Sequence, residues 1–552
     1  MKLKKETVFY PSSGPSGHLL PSGEGCAAKW RMKRMFAIGL VFFLSLSLLA
    51  QNSRDSILSI DAMRTWLTYL SSDDLEGRGT FSEGLGLAAS YIADQLKDGG
   101  VTAGGDHGSY FQRVTVLGIH SSGRSTLMVE VKGQTRTFRD GEGVLFPKFV
   151  GGPRTFTIDQ VDFLGYNPDS EKASDYKGKV VVWLESPDPT TLLAAEEGGI
   201  AAVLTPDYRA SGSSTAIDSA AGNQAPDFVT SQRLDLPRMP SISVGPELMD
   251  FLFSASDTRY DEIRARTDRK ESLKKFALKG VKLTFNVDPN YRVMTTQFTR
   301  NVVGIVEGSD PQLKSTYVAF GAHYDHLGYA PGSLYGTSDR IYNGADDDGS
   351  GSTALIGLAR AFAQGTKPKR SLVFVWHAGE ELGLYGSRYF ADNPPQAIGD
   401  INNIVTQLNI DMIGRNKDNK ASESGTVYAV GADRISTELH NTLVDANASL
   451  PRPLAINFEM NDPSDSERIY YRSDHFSYAS KGIPIIFFFS GLHPDYHQVT
   501  DTVDKIDFDK IARIGQLVYE IGRRIANQDR APLRDFKGPR VGRGGSGKLL
   551  TN

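Results

Sequence analysis

A chain of 552 residues is longer than one typical domain, and roughly 150 residues per domain implies about two to four units. Its 39% hydrophobic and 23% charged residues suit a soluble globular protein, and the length allows a sizeable core without disulfide staples. The formal net charge of −4 gives no sign of the basic balance that nucleic-acid binding needs, so that class is set aside.

The first fifty residues differ from the rest. Lys33 and Arg34 precede an uncharged apolar run over 35–50. The run has the length of a signal-peptide core and is too short for a comfortable membrane span. It ends Leu48-Leu49-Ala50, which puts a small residue at a cleavage point before Gln51. A signal peptide begins near its N-terminus, so Met32 is the expected start, and the Gly-, Ser- and Pro-rich residues before it are expected to carry no structure. The competing reading is an anchor that stays attached. Removing residues 1–50 takes away seven of the 61 Lys/Arg and two of the 65 Asp/Glu, for a net charge of −9, together with Cys26, the single cysteine. An exported chain without cysteine has no disulfide and no thiolate ligand, so any metal must be held by His and carboxylates.

From 59 to 101 the pattern is helical, with a turn at Leu75-Glu76-Gly77-Arg78 and a stripe of Ala88, Ala89, Ile92, Ala93 and Leu96 before Gly99-Gly100. The stripe is expected to be core. Between 141 and 281 the texture changes. Residues 180–184 and 240–244 read as strands, 194–204 as helix, glycine turn and strand, and 211–232 as a polar loop. No carboxylate–histidine cluster occurs there. From 301 onward, the apolar runs 302–306, 317–320, 372–376, 404–410 and 483–489 suit strands buried on both faces, and 352–362 suits an amphipathic helix. The alternation predicts an α/β fold, a mostly parallel mixed sheet sandwiched by helices. The Arg-, Gly- and Pro-rich tail after Arg530 is expected to be disordered.

The chemically interesting residues follow those runs directly. They are His323-Tyr324-Asp325-His326, His377 with Glu380-Glu381, Asp411, and His493-Pro494-Asp495-Tyr496-His497, while Asp346-Asp347-Asp348 opens the helix. Ligands of open α/β sheets bind beyond the carboxyl ends of the strands, so the clusters are expected on one rim. Imidazoles and carboxylates alone form a ligand set for zinc or a similar divalent ion. Two ions need a bridging carboxylate, and Asp347 can serve. Of the adjacent Glu380 and Glu381, one could ligate while the other points to a water. His323-x-Asp325 suits a ligand whose second ring nitrogen is oriented by a carboxylate. Each motif alone is weak: three aspartates are more often a solvated turn, and two glutamates can start any exposed helix. His326, His377, His475 and His493 are expected to be structural or supporting groups rather than ligands.

The five clusters, in this order, resemble the co-catalytic dizinc aminopeptidase family, which includes secreted leucyl aminopeptidases, and its superfamily relative glutamate carboxypeptidase. The resemblance covers roughly 301–527, and residues 59–101 resemble the family's N-terminal part. The segment 141–281 is similar to the protease-associated domain often inserted in these enzymes. The implied organisation is 1–50 N-terminal extension and signal peptide, 51–140 N-terminal part of the peptidase domain, 141–281 protease-associated domain, 282–527 catalytic domain and 528–552 tail. The resemblance implies two zinc ions, one held by His323 and Asp411, the other by Glu381 and His497, with Asp347 as bridge. It implies Glu380 as general base, Asp325 orienting His323, and Tyr496 polarising the scissile carbonyl. The implied activity is that of an exported aminopeptidase acting on peptides with a free N-terminus. The alternatives are a carboxypeptidase, which would need a basic residue such as Arg472 for the terminal carboxylate, a one-zinc glutaminyl cyclase, and a non-catalytic receptor-like binding protein. The preferred side chain, the native ion and the oligomeric state stay open at this level.

Overall fold

The apolar runs after residue 301 form the centre of a ten-stranded mixed sheet. The computed structural model describes residues 57–535, apart from 166–169, 188–190, 193–194, 197, 212–225, 270, 331–338, 463–464 and 466, and the strand pair at 540–541 and 549–550. The signal segment, Cys26, part of the 194–204 unit, most of the 211–232 loop and most of the tail lie outside the described residues. Among the described residues no helix is long and apolar enough to cross a membrane.

The principal strands are Phe111–Gly123 (β1), Pro289–Val306 (β2), Tyr317–His323 (β3), Ser371–His377 (β4), Ile404–Ile410 (β5), Thr426–Val430 (β6), Ala455–Asn457 (β7) and Ile485–Phe489 (β8). Across the sheet they run β1-β2-β4-β3-β5-β8-β6-β7. The central block β4-β3-β5-β8 is parallel. β2 and β6 flank it antiparallel, against β4 and β8 respectively. Side chains alternate between two cores, as strand geometry requires. Val318, Phe320, Leu372, Phe374 and Trp376 enter one, and Ala319, Val373 and Val375 the other. The first core is covered by helices Ile60–Leu70 (α1), Glu83–Asp98 (α2), Gly351–Gln364 (α3) and Phe508–Asn527 (α4). Along α4, Ile511, Ile514, Leu517, Val518, Ile521 and Ile525 are fully buried at helical spacing. Burial of each contributes roughly 1.5–3 kcal/mol. Gly522 on that face leaves room for the Phe320 ring, whose Cζ would lie 2.3 Å from a Cβ.

A second ten-stranded sheet covers the segment expected to be an insertion. Its order is 276–277, 161–165, 180–183, 202–206, 241–244, 143–145, 134–140, 126–131, 281–287 and 154–158, with its own core around Val129, Val182, Leu204, Leu283 and Phe285. The boundary expected at 141 therefore falls inside this sheet. The hairpin Thr126–Val131 and Gln134–Asp140 belongs to it, and its strand Val281–Val287 runs past 281. The reason is pairing: 126–131 is hydrogen-bonded to both 134–140 and 281–287, a partner some 150 residues later in the chain. Within the expected loop, Asp227–Val229 pairs with β1 and so returns to the first sheet.

Candidate metal centre

Because β3, β4, β5 and β8 are parallel, their carboxyl ends share one edge, and the loops that follow carry the clusters. β3 ends at His323 and leads to Asp325 and His326; β4 ends at His377, in register with His323, and leads to Glu380 and Glu381. Asp411 follows β5, and His493 and His497 follow β8. Asp347 stands just before α3.

Asp347 faces two sets of donors. Its Oδ1 is 3.1 Å from His323 Nε2, which is also 3.6 Å from Asp411 Oδ1. Its Oδ2 is 3.1 Å from His497 Nε2, which is 3.2 Å from Glu381 Oε2. His326, expected only as a supporting group, is brought into this second set: its Nδ1 lies 2.8 Å from Glu381 Oε1 and 3.7 Å from Asp347 Oδ2. Two groups, His323–Asp347–Asp411 and His326–Asp347–Glu381, each have three potential ligand atoms within 4.8 Å of one another.

The surrounding hydrogen bonds hold these side chains in place. His323 Nδ1 donates to the Asp325 main-chain carbonyl at 3.1 Å and is 3.8 Å from its carboxylate, which leaves Nε2 facing Asp347. The Asp325 carboxylate instead accepts from Thr80 Oγ1 at 2.8 Å and from the Glu380 amide at 3.2 Å, joining the β3 and β4 loops. Asp348 accepts from the amides of His323, Gly351 and Met412. Asp501 accepts from the amides of Asp346 and Asp347. Ser473 Oγ donates to Asp411 Oδ2 at 2.7 Å and accepts from Asn409. Buried Arg78 donates to four main-chain carbonyls: Tyr324 at 2.9 Å, Asn343 at 2.7 Å, Gly344 at 2.9 Å, and Leu70. These carbonyls flank the loops bearing His326 and Asp347.

Three expected supporting histidines stay out of the two groups. His377 contacts Tyr478 Oη at 3.2 Å, and burial pushes its pKa down to about 3. His475 donates to the Tyr470 carbonyl and stacks on Phe487. His493 is 3.2 Å from Asp346 Oδ2. Tyr496 stacks on His497 with centroids 3.9 Å apart, and its hydroxyl accepts from Arg472 Nη2 at 3.2 Å. Asp501, Ser473 and Thr80 carry no spacing signal that sequence reading could use; Arg78 is marked only by the Leu75-Glu76-Gly77-Arg78 turn, and Asp348 only as part of the aspartate triple.

The donor set fits divalent cations. Asp347, Glu380, Glu381 and Asp411 line one small cavity of about 60 Å³ with His323 and His497, and among the described lining residues Arg472 is the one arginine or lysine. Burial disfavours charge on His497, yet its hydrogen bonds to the Asp347 and Glu381 carboxylates outweigh it and push its pKa up to about 10. Burial also opposes charge on His323, and Asp411, Asp325 and Asp347 together outweigh it. Burial, with Glu381 and Asp411 beside it, holds the Glu380 carboxyl well above the usual carboxylate range. Such a surplus of carboxylate at a shared point calls for positive charge.

Comparison with known proteins agrees with this chemistry. Residues 301–522 match the profile of peptidase family M28. A probable leucine aminopeptidase of Arthroderma benhamiae is 29% identical over 231 residues, which is 39% of this chain and 56% of that protein. Leupeptin-inactivating enzyme 1 of Streptomyces exfoliatus is 35% identical over 170 residues, 30% of this chain and 34% of that enzyme. The chain thus spans about half the length, or less, of these curated relatives. Among solved structures, an aminopeptidase from Aneurinibacillus sp. strain AM-1 aligns over 88% of this chain and 98% of its own, at 18% identity and a TM-score of 0.43. BSAP, a zinc aminopeptidase from Bacillus subtilis, aligns over 87% and 99%, at 16% identity and 0.43. Over residues 301–522 the chain is thus similar to peptidase family M28.

Proposed function

We propose that this chain is an exported two-zinc aminopeptidase that removes N-terminal residues from peptides. The observation that carries the reading is the placement of Asp347, whose two oxygens lie 3.1 Å from two different imidazoles, each beside a further carboxylate. His323 and Asp411 would hold one ion, His497 and Glu381 the other, and Asp347 would bridge. His326 would donate its Nδ1 hydrogen to Glu381 Oε1 and leave Oε2 for the ion. Bound there, zinc supplies Lewis acidity toward a carbonyl oxygen and toward water.

The chain's own residues do the rest. Glu380, kept basic by its buried carboxylate-rich setting, takes a proton from the attacking water and returns it to the leaving amine. Asp325 holds the Glu380 amide with one oxygen, while its main-chain carbonyl sets the His323 ring. Tyr496, tied to Arg472, stands where a hydroxyl can donate to the carbonyl oxygen of a bound peptide. Met412, Ile469, Phe487, Phe489 and Leu492 wall the cavity and suit an apolar first side chain. The same proposal takes the segment up to Ala50 as an export signal and the inserted sheet as a protease-associated domain acting as lid or spacer.

A carboxypeptidase is the second reading, because Arg472 lines the cavity. Its guanidinium is already shared between Glu467 at 3.0 Å and Tyr496, which favours the first. The deciding experiment is hydrolysis of leucyl-p-nitroanilide beside its N-acetylated form, with metal content measured on the same sample. Turnover of the free amine alone, with about two metals per chain, is expected. Activity on neither, with metal bound, would turn the assignment to carboxypeptidase or cyclase substrates. A chain that binds no metal would remove the basis of both.

A further inference from the structure

A second cavity, of about 460 Å³, lies between the inserted sheet and the first sheet, and it shares no lining residue with the candidate metal centre. That volume suits a ligand the size of a short peptide or an aromatic acid. Its charge is one-sided: Arg233, Arg238, Arg388 and Lys481 line it against Glu196 and Asp392. Two of the cations are already matched, Lys481 by Asp392 and Arg233 by Asp235. Arg388 and Arg238 form no ion pair among the described residues. They come from different parts of the fold, Arg388 from the helix Tyr385–Asp392 and Arg238 from the segment before Ser241–Val244. Burial, then the Arg238 charge, lowers the Arg388 pKa, against Tyr385 and Asp392 on its own helix, which raise it.

Both guanidinium groups line the open cavity as exposed side chains, and an anion entering it can take contacts from each. Planar guanidinium forks pair with carboxylate or phosphate oxygens in two-point contacts. The remaining wall is aromatic. Phe149 and Tyr291 stack with centroids 6.2 Å apart, and Phe228 is 37% exposed toward solvent. The Tyr291 hydroxyl is already committed to the Val150 amide and the Gly151 carbonyl, so this side offers flat apolar surface.

We propose that this cavity is a binding site for a carboxylate carried on an apolar or aromatic body, with Arg388 and Arg238 clamping the oxyanion and the Phe149–Tyr291 wall receiving the body. The site is separate from the peptidase centre, and the inference does not rest on the aminopeptidase reading. Its ligand chemistry is that of a peptide's C-terminal residue or an N-acylated amino acid.

The test is calorimetric titration of the full chain, at constant ionic strength, with N-acetylphenylalanine, N-acetylphenylalanine amide and inorganic phosphate. Saturable binding of the acid and none of the amide is expected, with at least a tenfold loss of affinity in both Arg388→Gln and Arg238→Gln. Phosphate that binds and competes with the acid would keep the oxyanion clamp but make a phosphate the preferred source of the anion. The two variants also separate this site from the metal centre, where a carboxylate could coordinate an ion. Binding that is unchanged in both variants belongs to that centre and overturns the proposal, as does the absence of saturable binding by acid and phosphate alike. Arg388 and Arg238 are both exposed, and Arg238 also lies outside regular structure, so Arg238→Gln carries the test if Arg388→Gln fails to fold.

Discussion

Replacing Arg78 by Met tests how the site is held. The Arg78 side chain is 1% exposed, and its donors satisfy the carbonyls of Leu70, Tyr324, Asn343 and Gly344. Methionine fills similar space but offers no donor. Each buried carbonyl left without a partner costs about 1–3 kcal/mol. Removing the guanidinium also recovers its own desolvation, and water can reach some of the carbonyls, so the net loss is expected at about 3–5 kcal/mol. The carbonyls of Tyr324, Asn343 and Gly344 flank His326 and Asp347, so the loss falls on the ligand loops. Metal affinity is expected to drop roughly 10- to 100-fold, as for other groups that orient ligands. Denaturant unfolding of the metal-loaded and metal-free protein, with metal titration by competition against a chelator, reads both effects. Arg78→Lys keeps the charge but lacks the planar fork, and is expected between Met and wild type. An Arg78→Met protein with stability within about 1 kcal/mol of wild type and unchanged metal affinity would refute this reasoning.

Glu380→Gln is expected to lower kcat on leucyl-p-nitroanilide by about 10²–10⁴-fold while two metals stay bound; retained turnover would sink the base assignment. Ser473→Ala removes the hydrogen bond to Asp411 Oδ2 and is expected to weaken metal binding about 10-fold or more, measured by chelator competition. Gly522→Ala drives a methyl to 2.3 Å from the Phe320 ring and is expected to cost about 1–3 kcal/mol in denaturant unfolding, with little change in kcat. Lys510 is pushed down to about 8 by burial, whereas an unfolded lysine titrates near 10.4. The unfolded chain therefore holds the extra proton between these values, and stability rises with pH across that window. The contribution is complete above about pH 10.4 and is lost as pH falls through about 8. The slope should vanish in Lys510→Met, measured by unfolding at pH 7.5, 9 and 10.5; an unchanged slope would refute it.

Much of the site was legible because its chemistry is written next to its strands. Runs such as 317–320 and 372–376 show strand placement through local burial, and the polar residue after each run marks its carboxyl end. The structure gathers His323, Asp347, Glu381, Asp411 and His497 at one edge for that reason. Spacing alone does not say that His326 turns its Nδ1 to the Glu381 carboxylate. The direction of the β3–β4 loop contacts decides that. That the second sheet begins at 126 is not legible in the chain, because 126–140 looks locally like any hairpin.

The strand runs, the helix over 352–362, the His and carboxylate composition of the rim and the absence of cysteine from residue 51 onward are all written in the chain. These depend on neighbouring residues, so periodicity and residue type record them. Only the tertiary structure decided that Asp325 turns its main-chain carbonyl to His323, that His326 joins Glu381, and that the sheet of the insertion runs from 126 to 287. It alone brought Arg78 to carbonyls 246, 265 and 266 residues away. Contacts at that separation are set by how whole layers pack, and no local pattern in the chain encodes them.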